Sequence, residues 1–99
     1  MSFLTTDPNA LTAASGNMQN IGLAMAANNA TAAGPTTGVV PAAADPVSAL
    51  TAAQFASHAQ LYQTICAQAA AIHQQMVANL GSNAHAYAAT EACNATAAR

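Results

Sequence analysis

About 30 of this chain's 99 residues are alanine, and no other feature narrows its fold so far. Alanine has the highest helix propensity, because its side chain loses no rotamer freedom in a helix, yet it offers little surface to bury. There is no tryptophan, and Phe3, Phe55, Tyr62 and Tyr87 are the aromatic residues. Such a chain forms helix readily and a self-sufficient core only with difficulty. Its length allows one domain at most, and a domain this small buries a modest fraction of its unfolded surface.

Two places carry the chemistry of a helix start: Asp7-Pro8 and Asp45-Pro46. Aspartate caps a helix by accepting from the orphan N–H groups of the first turn, and proline fits the first helical position, where an N–H is not needed. The first helix is expected over about residues 8–33. Leu11, Ala14, Met18, Ile21, Met25, Asn28 and Ala32 recur along it at alternating spacings of three and four, a heptad-like stripe. Gly16 and Gly22 weaken it by roughly 1 kcal/mol each relative to alanine but admit a second helix closely. The segment "GPTTGVVPAA" then predicts a loop over 34–45. The second helix is expected over about 46–80, with His58, Leu61, Ile65, Ala69, Ile72 and Met76 in one stripe, widened by Phe55, Tyr62 and Leu80. Gly81 marks an end or weak point, with helix resuming towards Tyr87. The fold class is therefore all-α, an antiparallel two-helix hairpin. Its apolar faces are too wide for one neighbour to cover, which points to a partner hairpin and a four-helix bundle.

Charge is nearly absent. Arg99 is the one strong cation, against Asp7, Asp45 and Glu91. Nucleic-acid binding requires lysine or arginine to displace counterions from phosphates, so that class is excluded, as is a basic helix held on anionic lipid. The start "MSFLTTDPN" lacks the basic and apolar regions of an ordinary secretory leader, and no stretch reads as a transmembrane helix.

The inventory for catalysis is thin. Asp7 and Asp45 have cap assignments, so no carboxylate pair remains for acid–base work. His58, His73 and His85 lack an i,i+4 partner among themselves and an orienting carboxylate; His58 and His73 are assigned to positions in or beside the helix interface, with no metal site and no cofactor expected. Cys66 and His73 share a helix face, but at a separation too long for thiolate activation. Cys66 and Cys93 have no metal-ligand spacing and are read as idle thiols, with a disulfide between them the alternative. No phosphate loop or nucleophile elbow is present. The chain is expected not to be an enzyme, and no small-molecule substrate is identified from its residues.

With Pro8, the loop Thr36 to Phe55 "TTGVVPAAADPVSALTAAQF" and the closing "YAATE" of Tyr87 to Glu91, the chain resembles the mycobacterial PE family over essentially its whole length. The "MSF" start and the length fit as well, and the short form is most similar to members associated with the ESX-5 type VII secretion system. One departure is plain: the family is named for a Pro-Glu pair, and here Pro8 is followed by Asn9. Asn9 forgoes a carboxylate that would favour the helix N-terminus by about 0.3–1 kcal/mol.

The resemblance implies a PE domain over 1–99 that forms a heterodimer with a PPE-family protein and is exported folded by type VII secretion machinery to the cell surface or outer envelope. A cytosolic chaperone would contact only the PPE partner. Tyr87 and Glu91 would form the secretion signal, Tyr-x-x-x-Asp/Glu, within the segment 81–99. Residues four apart share a helix face, so phenol and carboxylate would make one small recognition surface. Leu11, Met18, Ile21, Met25, Phe55, Leu61, Tyr62, Ile65, Ile72 and Met76 are the expected partner interface. The resemblance leaves open whether the exported pair is a structural module of the envelope, a component of outer-membrane solute permeability, or an export vehicle for its partner.

Overall fold

Both helices begin at an aspartate whose carboxylate closes the first turn. In the computed structural model, which describes residues 4–99, Asp7 Oδ1 accepts from the Ala10 N–H at 3.0 Å and Asp45 Oδ1 from the Ser48 N–H at 2.9 Å. The carbonyls of the same two aspartates take the first helical bonds, from Leu11 and Ala49. Helix α1 then runs Pro8–Thr37 and helix α2 Pro46–Ala97, and they are the two elements of the described residues. The "MSF" start lies outside the described residues.

Each helix passes through a residue expected to stop it. Helix α1 continues beyond 33 through Gly34 and Pro35 to Thr37, so the loop is shorter than the expected 34–45. A proline normally drives the residue before it out of the helical region, by a clash with that residue's Cβ and N–H. Gly34 has no Cβ, which relieves the larger part of that clash. Pro35 also sits close to the helix end, where losing one i→i−4 bond costs least. The last turn is reinforced by hydroxyls: Thr36 Oγ1 donates to the Ala32 carbonyl and Thr37 Oγ1 to that of Ala33, both at 2.6 Å, while the Gly38 N–H reaches the Gly34 carbonyl at 3.0 Å. Helix α2, expected to end or weaken near 80, runs unbroken through Gly81 to Ala97. A single glycine lowers helix propensity without removing a hydrogen bond, and this stretch packs against α1: Leu80 and Gly81 are half-buried, Ala84 is buried, and a Cβ on Gly81 would lie 3.8 Å from Ser15 Oγ.

The chain divides into two compact units, one formed by the described residues up to Gly22 with His73–Arg99, the other by Leu23–Ile72. In the first, the helices are joined by polar side chains reaching backbone. Ser15 Oγ donates to the Val77 carbonyl at 3.0 Å, and His73 Nε2 meets the Met18 carbonyl at 2.6 Å. Thr6, just before α1, donates from Oγ1 to Glu91 Oε1 at 3.1 Å. The pairing order, 6 with 91, 15 with 77, 18 with 73, is antiparallel. In the second unit Gln63 Nε2 donates to the Asn29 carbonyl at 3.0 Å and the Tyr62 hydroxyl lies 3.4 Å from Asn29 Oδ1.

The seam is made of small residues. Among the described residues only Ala84 in the first unit and Ala52 and Ala59 in the second are buried, and α1 buries none. The half-buried residues of α1 are Pro8, Leu11, Ser15, Met18, Gly22, Asn29, Ala32, Ala33 and Thr37, a three-four rhythm. The expected α1 stripe therefore splits. Leu11, Met18 and Ala32 turn towards α2, whereas Ala14, Ile21, Met25 and Asn28 are exposed. Every member of the expected α2 stripe, from His58 to Met76, is exposed. Of the two glycines expected to admit a neighbour, Gly22 does and Gly16 does not: a Cβ on Gly16 would meet nothing within 4 Å, whereas one on Gly22 would lie 2.8 Å from the His73 ring.

Candidate functional site

The side chains with the most surface to bury point outward. In the second unit, Ala32, Pro35 and Thr36 of α1, Val39 of the loop, and Phe55, His58, Ala59, Tyr62 and Gln63 of α2 line a shallow groove of about 280 Å³. Seven residues make nearly two helical turns, so Met25 follows Ala32 along α1 on the grooved side, and Ile65 and Ile72 follow His58 along α2. This face is apolar and open: Phe55 is 62% exposed, Ile65 53% and Ile72 65%, and Met25, Leu61 and Tyr62 are exposed with them. In the first unit Ile21 and Met76 are likewise exposed, beside the half-buried Met18 and Val77.

Polar groups on this face are few. The Cys66 thiol, one turn on from Tyr62, holds the Tyr62 phenol above its ordinary value of 10.0. Cys66 and Cys93 are both free, the first half-buried and the second exposed. His58 lines the groove, His73 sits in the seam and His85 is exposed. Among the described residues no group of three His, Cys, Asp or Glu side chains converges as a metal site would require. No helix among the described residues is long and apolar enough to cross a membrane.

Tyr87 and Glu91 lie in the unbroken C-terminal part of α2. Tyr87 is 47% exposed. Glu91 is exposed too, but its carboxylate is not idle: one oxygen accepts from the Thr6 hydroxyl. Sequence reading missed this contact, as it missed Ser15–Val77 and Gln63–Asn29, because the partners are far apart in the chain and of types that are polar anywhere. The signal for the His73 contact was Gly22, the one α1 glycine with a ring above it.

These features define a class: a capped, alanine-seamed helical hairpin with its large apolar side chains turned outward. The chain belongs to the PE family, whose model matches residues 4–94. It is 60% identical over 98 residues to PE family protein PE13 of Mycobacterium tuberculosis, covering 99% of both chains. It is 51% identical over 98 residues to PE family protein PE8 of the same species, covering 99% of this chain and 36% of that one. It is 50% identical over 95 residues to PE-PGRS family protein PE_PGRS33, also of Mycobacterium tuberculosis, covering 96% of this chain and 19% of that one. The chain thus spans nearly all of one relative and about a third or less of the others.

Proposed function

We propose that this chain is the PE half of a helical heterodimer with a PPE-family protein, that it acts by binding rather than by catalysis, and that the pair is exported by a type VII, ESX-5-like secretion system to the mycobacterial envelope or surface. In this reading Met25, Phe55, Leu61, Tyr62, Ile65 and Ile72 of one unit, and Leu11, Met18, Ile21 and Met76 of the other, are partner-interface residues of a four-helix bundle. Tyr87 and Glu91 are the export signal.

The observation that carries the reading is the inversion of the hairpin. Among the described residues only Ala52, Ala59 and Ala84 are fully buried, while Phe55, Ile65 and Ile72 stay more than half exposed. Burying a residue of this size stabilises by about 1.5–3 kcal/mol, and exposed apolar side chains gathered on one face are the mark of an interaction site. Family membership supports a protein partner in general; that it is a PPE chain is part of the proposal. The test is co-expression with candidate PPE chains, co-purification, and then measurement of the pair in culture filtrate and envelope fractions. Copurification with one PPE chain and its appearance outside the cytosol are expected. A chain that folds cooperatively alone and binds none of the candidates overturns the proposal.

A further inference from the structure

We infer that Thr6 is a positioning residue of the export signal, fixing the Glu91 carboxylate in the orientation in which the secretion machinery meets it. The inference rests on the reading of Tyr87 and Glu91 as that signal. Thr6 and Glu91 are 85 positions apart, yet Thr6 Oγ1 lies 3.1 Å from Glu91 Oε1. The Thr6 end of this contact is fixed by what surrounds it. Thr6 immediately precedes the cap residue Asp7, whose carboxylate is held by the Ala10 N–H, so the backbone at position 6 is anchored to α1. Threonine is β-branched and stiff at χ1, which directs its hydroxyl. Glu91 stands on continuous helix, but its long side chain is exposed and would otherwise sample many rotamers.

A hydroxyl donating to a carboxylate makes a charge-assisted bond. Here it occupies one oxygen and leaves the other, Oε2, for a donor on the recognising protein. Restricting the side chain before binding removes an ordering cost at the moment of recognition, which is the usual gain from preorganisation. The signal is then composite: a phenol and a carboxylate from the end of α2, and a hydroxyl from the segment that leads into α1. An exposed hydrogen bond of this kind adds little to the fold, so its effect is separable from stability.

The experiment compares export of the intact heterodimer in mycobacterial cells for Thr6→Val, Thr6→Ser, Glu91→Ala and the Thr6→Val/Glu91→Ala pair, with co-purification and thermal melting of each. Valine keeps the shape of threonine and removes the donor. Thr6→Val should lower export several-fold with partner binding and melting unchanged, Thr6→Ser should restore it, and Thr6→Val should add nothing once Glu91 is alanine. Export blocked by Glu91→Ala but untouched by Thr6→Val overturns this inference and leaves the proposed function standing. Normal export of Glu91→Ala overturns both. Loss of partner binding or of melting temperature in Thr6→Val shows a structural role and also overturns it.

Discussion

The imidazole of His73 lies over Gly22: a Cβ added to that glycine would sit 2.8 Å from His73 Cδ2 and 2.9 Å from Nε2. The same Nε2 stands 2.6 Å from the Met18 carbonyl, so its N–H donates to α1 one turn below the glycine. A Cβ at position 22 therefore forces the His73 ring to shift, at the expense of its hydrogen bond to Met18. Gly22→Ala gains about 1 kcal/mol of helix propensity but displaces the ring and forfeits a bond worth about 0.5–1.5 kcal/mol together with its packing. Gly16→Ala makes the same gain with nothing within 4 Å to resist it. Thermal melting of the complex with a PPE partner, followed by circular dichroism, should show Gly16→Ala more stable than the parent and Gly22→Ala no more stable than it. In a His73→Ala background Gly22→Ala should become stabilising, as Gly16→Ala is. Equal stabilisation by both glycine replacements in the parent would show that the ring does not hold this position.

What was legible in the sequence follows from range. The two helix starts were readable because the cap is a local device: Asp7 and Asp45 find their partners three residues on. The helix ends were not, because Gly34 relieves a clash that makes Pro35 a stop signal, and because Gly81 is held in the helix by packing against α1 beside Ser15, a contact that carries no local pattern. The direction in which α1 and α2 face each other was read only in part. Hydrophobic periodicity marks Ile65, Ile72 and Met76, which are exposed, while the seam follows Ala52, Ala59 and Ala84, residues too common here to form a visible pattern. Side chain to backbone bonds such as Ser15 to Val77 carry no pattern at all.

That inversion governs the behaviour of the chain alone. With three buried alanines and no large buried side chain among the described residues, little packing distinguishes one arrangement of the helices from another. The isolated chain should be strongly helical by far-ultraviolet circular dichroism, yet poorly soluble or molten, and should acquire a sharp thermal transition only with its PPE partner. A sharp, concentration-independent transition of the purified monomer would contradict this.

Ile72 separates the two seams. Its side chain is 65% exposed, so Ile72→Asp should leave the helicity of the free chain unchanged. In a packed bundle the same carboxylate would be buried without a partner, at a cost of several kcal/mol. Co-purification with the PPE chain should fail for Ile72→Asp and survive Gln74→Asp, since position 74 turns away from the grooved side. Equal partner binding by both variants would place the interface elsewhere.

Asp45 sets a pH dependence. The Ser48 N–H and then the Ser48 hydroxyl, at 2.9 and 2.8 Å, hold its carboxyl below the ordinary 3.8. A folded-state value lower than the unfolded one means that the stabilisation is fully present above the unfolded value and is lost as pH falls through the folded one. Asparagine caps without titrating, and the remaining carboxylates are common to both proteins. The difference in melting temperature between the parent and Asp45→Asn should therefore be constant near neutral pH and shift against the parent on acidification below about pH 4. A difference that stays flat over that range would show that the cap is not carried by the ionised carboxylate.

Tyr87 and Glu91 test the role of helix geometry in export. Both stand on the unbroken part of α2, where residues four apart share a face. Tyr87→Ala or Glu91→Ala should leave the heterodimer intact and stop its export, with the pair accumulating in the cytosol. Glu91→Gln keeps an oxygen that accepts from Thr6 but removes the charge, so it isolates the charge from the orientation; export should fail if the recognising protein meets a carboxylate. Inserting one alanine between Thr90 and Glu91 keeps both residues and rotates the carboxylate by about 100° away from Tyr87 and from Thr6. Export of that variant should fail while co-purification with the partner persists. Normal secretion of the insertion variant would show that phenol and carboxylate are not read as one face, and loss of partner binding by Tyr87→Ala would make the tyrosine part of the bundle rather than of the signal.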